Sequence, residues 1–249
     1  FGKTGNFDGD DIIDILLEQE QTARFITQKI YTYFVNDTPD AGHIDWLAGR
    51  FYQRQYDIGQ LLADIFGSEW FYEEKNRGAR IKSPVELLVG IRRFIPLVPA
   101  RPEVQLLFQR TLGQVLFYPP NVAGWPGGRN WIDSSSLMFR LRMPQILAAG
   151  DEFVLRPKED DDTMMGMEGA DAPGKVAQLG ATVDWDPVIR AFQGIPRSQL
   201  REALSDVLLQ VPGRIEPAIL DRYAGTGSSD SYLKTMVIEL MSTPEYQLC

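Results

Sequence analysis

Residues 112–140 read LGQVLFYPPNVAGWPGGRNWIDSSSLMFR, and this stretch decides the fold class. Into it runs a segment in which Val104, Leu107, Phe108, Thr111, Leu112, Val115 and Leu116 recur at three- and four-residue steps. That is the period of a helix with one buried face, and it predicts a helix ending near Phe117. Tyr118 is pushed out of the helical region by Pro119, and Pro120 removes a second backbone donor, so the chain leaves extended. Gly124, Pro126, Gly127 and Gly128 then supply turns, while Trp125 and Trp131 bring large apolar area into a segment otherwise expected to be polar. Such a loop is expected to pack down. Asp133 suits the N-cap of a next helix carrying Leu137, Met138 and Leu141, which Pro144 is expected to perturb.

Similar punctuation recurs along the chain. Asp8 followed three residues later by Asp11 predicts a capped helix with Ile12, Ile13, Leu16 and Leu17 on one face. Asn6, Asp8, Asp10 and Asp14 alternate like the first ligands of a calcium loop, but Asp11 and Leu17 stand where that loop needs glycine and a bidentate acid. No metal or cofactor is therefore expected. Ala23, Ile26, Ile30, Tyr33 and Phe34 mark a core helix over 21–35, and Ile44, Leu47, Ala48 and Phe51 another, opened by the only histidine, His43. Asp57 caps a helix with Ile58, Leu61, Leu62, Ile65 and Phe66 inside. Ser83, Pro84 and Glu86 form the clearest signal, a capping box with proline in the first turn, ahead of Leu87, Leu88, Ile91 and Phe94. Residues 150–183 are rich in acids, glycine and methionine and read as a solvated connector. Beyond it, Asp186 as cap and Pro187 in the first turn open a helix. Leu200, Ala203, Leu204, Val207 and Leu208 define a second, Ile215, Ile219, Leu220 and Tyr223 a third, and Tyr232, Leu233, Met236, Val237 and Leu240 a last one. GSEWFYEE and LMSTPEYQL each place an aromatic turn after a helix, as an internal duplication would. No strand-like alternation of comparable strength appears. The expected fold is all-α, a multi-helical array with Pro- and Gly-rich loops. Residues 1–149 form its helical region and 184–249 a C-terminal helical subdomain packing on it.

Composition narrows function. The 249 residues carry 25 Lys and Arg against 34 Asp and Glu, a net charge of −9. That balance disfavours general nucleic-acid binding and anionic membrane surfaces. With 44% hydrophobic and 24% charged residues, the chain has an ordinary globular composition. The single cysteine, Cys249, permits no intrachain disulfide, and no apolar run is long enough to span a bilayer. No GxSxG elbow, P-loop, dinucleotide fingerprint or zinc spacing is present.

The segment LGQVLFYPPNVAGWPGGRNWI, with ARFITQKIYTYFVND, KSPVELLVGIRRF and the closing LMSTPEYQ, resembles the bacterial family catalogued as domain of unknown function 1800. The resemblance covers most of the chain, broken mainly between about Gly150 and Val183. It carries no established activity. It implies an exported protein, periplasmic or secreted, often encoded beside a sulfatase-like exported companion. It also implies that the opening FGKTGNFDGDD lies well inside a longer product whose export signal precedes it.

Two functions follow as expectations. The first is a non-catalytic binding or assembly module of the cell envelope, taking a carbohydrate or a protein partner. Its surface centres on Asn121, Trp125, Arg129 and Trp131, with Lys82 and Arg92 as neighbours, since indole faces with amide and guanidinium groups suit either partner. Trp125 and Trp131 can equally be the plug of the array. The second is a hydrolase of carbohydrate or of sulfated or phosphorylated substrates, working through carboxylates, with His43 as a further acid–base candidate. It draws on the local positive cluster of Lys75, Arg77, Arg80, Lys82, Arg92 and Arg93.

Overall fold

The computed structural model describes residues 1–99, 102–149, 181–224 and 227–249. Among these residues eleven α-helices account for nearly all regular structure, as the helical periods predict. The expected connector at 150–180 lies outside the described residues. The chain divides into two compact units, Phe1–Arg80 and Ile81–Cys249. The boundary thus falls at Arg80, and residues 184–249 share one core with residues 81–149.

In the first unit α1 (Gly9–Leu17), α2 (Glu20–Phe34), α3 (Ala41–Gln53) and α4 (Ile58–Phe66) are followed by two short 3-10 turns, Glu69–Tyr72 and Glu74–Asn76. The capping box of Asp8 and Asp11 starts α1, and Asp40 and Asp57 cap α3 and α4. Because Asp8 accepts the Asp10 and Asp11 amides, its carboxylate is committed to the N-terminus of α1. Among the described residues no group of three His, Cys, Asp or Glu is placed to hold a metal ion. The core gathers Ala23, Tyr31, Val35, Ile44, Leu47, Phe51, Leu61 and Ile65. The buried line of α2 is Ala23, Thr27 and Tyr31, turned from the expected one so that Tyr33 and Phe34 face solvent. Four-residue spacing through the small Ala23 and Thr27 lets α3 approach closely, and the large rings take the rim. No residue of α1 is buried, and Ile12, Ile13 and Leu16 are exposed rather than internal. Its end is held by polar contacts, with Tyr52 Oη donating to Glu18 O (3.0 Å) and Tyr56 Oη to Leu17 O (2.7 Å). Asp64 clamps α3 to α4 by accepting from Arg50 Nε (2.8 Å) and Nη2 (3.0 Å) and from Arg54 Nη1 (2.9 Å). These hydrogen bonds, Arg50's first, hold its carboxyl below the usual range.

The second unit is built around α11 (Ser229–Met241), whose Tyr232, Leu233, Met236, Val237 and Leu240 are all buried, as the sequence predicts. Against it pack α7 (Ser134–Ala149), α9 (Arg197–Leu208) and α10 (Pro217–Ala224). The remaining helices are α5 (Pro84–Phe94), α6 (Glu103–Leu112) and α8 (Asp186–Ala191). The Ser83–Glu86 capping box is present on α5. On α8 the first-turn N–H of Asp186 is received by Asp184, two residues ahead of it, and not by an Asp186 cap.

Three expectations need correction here. Residues 181–183 are a strand: β1 (Leu97–Pro99) and β2 (Ala181–Val183) pair antiparallel, Leu97 opposite Val183. Three residues are too short for alternation to register. Secondly, α7 runs through Pro144, which is buried, and its interior face is Phe139, Arg140, Met143, Ile146 and Leu147, while Met138 is exposed. Packing on both sides overrides the proline cost. Thirdly, on α9 and α10 the interior lines are Leu200, Leu204, Leu208 and Leu220, Ala224, leaving Val207, Ile219 and Tyr223 exposed. No described helix is long and apolar enough to cross a membrane.

Candidate functional site

The segment between α6 and α7 is where the second unit departs most from ordinary helical packing. Helix α6 stops at Leu112 because Gly113 takes a left-handed conformation (φ 82°), five residues before the expected end at Phe117. A glycine C′ reversal ends a helix whatever the apolar period beyond it, so Val115 and Leu116 belong to the loop. Two glutamines fix the exit. Gln109 Oε1 accepts Leu116 N (2.9 Å), and Gln114 Oε1 accepts Val85 N (2.9 Å), one of the free donors in the first turn of α5.

Residues Val115–Tyr118 then close a tight turn, Tyr118 N donating to Val115 O at 3.1 Å. At its tip Phe117 has φ 64°, a left-handed conformation that costs a side-chain-bearing residue about 1–2 kcal/mol. Its ring is 95% exposed. Leu116, Tyr118, Pro119, Pro120 and Val122 are exposed beside it. A second turn follows at Asn121, whose Oδ1 accepts Ala123 N (2.8 Å) and whose carbonyl accepts Gly124 N (3.0 Å). Gly124 at φ 89° and Gly128 at φ 60° complete the path into a 3-10 turn over Gly128–Trp131. Trp131 is buried at 6% exposure. Its carbonyl accepts Ser136 Oγ (3.2 Å), and Asp133 receives the Ser135 and Ser136 amides to start α7. The loop is therefore anchored at both ends, and its middle carries apolar side chains outward.

The six residues nominated from sequence separate in space. Trp131 lies in the interior as a plug, Trp125 is half-buried, and Asn121 and Arg129 are exposed. The Asn121 amide oxygen is occupied by its own turn. Lys82 and Arg92 stand at opposite ends of α5, about 12 Å apart along the axis between Pro84 and Arg92 at 1.5 Å per residue. Each has a protein partner. Arg92 Nη1 donates to Gln105 Oε1 at 2.6 Å. Lys82 Nζ donates to Tyr246 O at 2.6 Å and sits 3.8 Å above the Tyr246 ring. Burial pushes its ammonium down to about 8.

Sequence reasoning missed Arg140, a fully buried cation. Its Nε donates to Gln247 Oε1 (3.1 Å) and its Nη2 to Lys82 O, while Nη1 has no hydrogen-bond partner. Burial lowers its guanidinium to about 10. The signal was its position on one helical line with Ser136, Met143 and Leu147, all buried.

His43, in the first unit, is part of a packed aromatic stack. Its ring lies on Trp70 (4.2 Å between centroids, 17° between planes), and its Nδ1 is 3.3 Å from Tyr31 Oη. Burial first, then the nearby Asp40 charge, raises the Tyr31 hydroxyl, and the phenol and the imidazole share one hydrogen bond. Asp40 receives the His43 backbone N–H at 3.0 Å, which heads the causes lowering its carboxyl. The imidazole is thus fixed by packing and by a phenol.

No curated protein and no solved structure matches the chain. A family model does, that of "Protein of unknown function (DUF1800)", and the match runs over residues 1–248. The resemblance read from PPNVAGWPGG and its companion segments is therefore an assignment, and the chain belongs to the DUF1800 family.

Proposed function

We propose that this DUF1800 chain is a non-catalytic binding module that takes a protein partner through the loop tip Leu116–Val122. The observation that carries the reading is Phe117, an aromatic ring 95% exposed on a left-handed backbone. Ring exposure gains no folding free energy, and the backbone conformation costs some, so intrachain stability does not account for this residue. An apolar knob on a pinned loop loses little entropy when it enters a partner's pocket, which is the condition for an interface hot spot.

A protein suits the loop better than a carbohydrate. Sugar recognition needs flat indole or phenol faces flanked by free hydrogen-bonding groups. Here Trp131 is interior and the Asn121 carboxamide oxygen is used within its own turn. An anionic substrate is disfavoured too, since Lys82 and Arg92 stand at opposite ends of α5 and do not converge on one group. Export, and the sulfatase-like exported companion as the partner, are part of this proposal on the strength of the family resemblance. The test is binding of that companion to the wild type and to Phe117→Asn. Asparagine tolerates φ above zero, so the variant removes the ring and keeps the turn.

A further inference from the structure

Gly49, in the first unit, has no part in the loop of the second. It stands inside α3, where glycine is less favourable than alanine because it has more backbone freedom to lose on folding. A neighbour pressing on the backbone is one reason for a helical glycine, and Gly90 of α5 has it, since an added Cβ there would meet the Tyr246 hydroxyl at 3.4 Å. At Gly49 nothing lies within 4 Å of such a Cβ, and the backbone is not left-handed. Neither close packing nor backbone conformation within the described residues accounts for this glycine.

The bare backbone of Gly49 lines a groove of about 270 Å³ between α2 and α3. Asp45, Gly49 and Gln53 form one line of four-residue steps along α3, and Glu20 and Arg24 face them from α2. An ion pair between Arg24 and Asp45 ties the two helices together. Tyr52 is fixed beside the glycine, its Oη donating to Glu18 O at 3.0 Å and its ring meeting Tyr56 edge-on. Glu20, Gln21 and Gln53 also line the groove; all three are exposed, and their side chains have no hydrogen-bond or ion-pair partner among the described residues. The groove therefore offers a small floor, a pinned phenol and free groups of both kinds, amide donors together with amide and carboxylate acceptors.

We infer that this groove binds one pyranose ring of an uncharged sugar, with its C–H face on the Gly49 backbone and Tyr52 and its hydroxyls on Gln21, Gln53 and Glu20. Each sugar hydroxyl donates and accepts at once, which carboxamides match and a carboxylate strengthens. The volume falls just below the roughly 300–1,000 Å³ of sites for drug-sized ligands, as suits a single ring. Glu20 and Asp45 against Arg24 alone leave the lining negative, so an acidic sugar is repelled. A free monosaccharide and a residue of a glycan chain share this chemistry.

The test is a titration of the full chain with glucose, galactose, mannose and N-acetylglucosamine, followed by backbone amide NMR of α2 and α3, with glucuronate as the acidic control. At least one neutral sugar is expected to give saturable shifts around Gly49, with glucuronate at least tenfold weaker. Gly49→Leu, which fills the floor with a better helix former, is expected to weaken binding at least tenfold in a chain that keeps its wild-type circular dichroism. Gly49→Ala is expected to raise the urea midpoint, since the added methyl meets nothing. The tetrasaccharide of the bound sugar separates the sources: tighter binding than the monosaccharide assigns a glycan chain, equal or weaker binding a free sugar. No saturable response to any of the four sugars, equal binding of glucuronate, or unchanged binding in Gly49→Leu would overturn the inference. So would a lowered urea midpoint in Gly49→Ala, which would show that the fold itself requires the glycine.

Discussion

Single residues carry the sharpest consequences. Lys82 titrates at about 8 in the folded protein against an ordinary 10.5, with burial the largest cause. Between those values the unfolded chain holds a proton that the folded chain has released, so stability rises with pH through that window. Tyr232, pushed up to about 12 by burial and then by its bond to Asp221, reverses the trend once unfolded tyrosines ionise near pH 10. Urea melts from pH 7.5 to 9.5 should show rising stability, and Lys82→Met should flatten the rise. A falling curve in the wild type would contradict the depressed ammonium. At Phe117, where no burial is at stake, Phe117→Gly is expected to leave folding stability unchanged or raise it by up to about 1 kcal/mol, because glycine removes the left-handed strain. A loss above about 1 kcal/mol in chemical denaturation would show the ring to be structural. Neither residue's role was legible in sequence. The Lys82 environment is made by Tyr246, 164 positions away, and the φ of Phe117 depends on the Gly113 reversal and the two glutamine clamps.

Elements were more legible where local chemistry alone sets them. Ser83 and Glu86 form their capping box because the required groups lie within four residues, and Ser83→Ala is expected to cost about 1 kcal/mol in a thermal or urea melt. Asp8, Asp57 and Asp133 receive helix N-terminal amides as their positions predict, and Asp40, which the sequence reading did not single out, does the same for α3. Failures occur where a distant surface chooses the face. The apolar residues of α2 span more than half its circumference, and sequence cannot say that Thr27 goes inward and Phe34 outward. Similarly, the three-residue strand β2 exists because Leu97–Pro99 pairs with it. The loop between α6 and α7 was legible as rigid and turn-rich from its prolines and glycines. Its direction was not, since the sequence singles out Trp125 and Trp131, whereas Phe117 reaches solvent most fully, with Tyr118 beside it.

At the scale of the molecule, two separate cores organise the chain, one around Leu47 and Ile65 and the other around Met236 and Leu204. Leu204→Ala is expected to destabilise the second unit by about 2–5 kcal/mol, with faster amide exchange across α9 and α11. Equal acceleration in α2 and α3 would show instead that the two cores unfold as one. The DUF1800 assignment spans both units, and the proposed partner surface lies on the second. The most direct test is the dissociation constant for the sulfatase-like companion, measured by calorimetry with the wild type and with Phe117→Asn. The account predicts saturable binding weakened at least tenfold by the substitution, about 1.4 kcal/mol or more. Equal affinity of the two proteins, or no binding by the wild type, would contradict it.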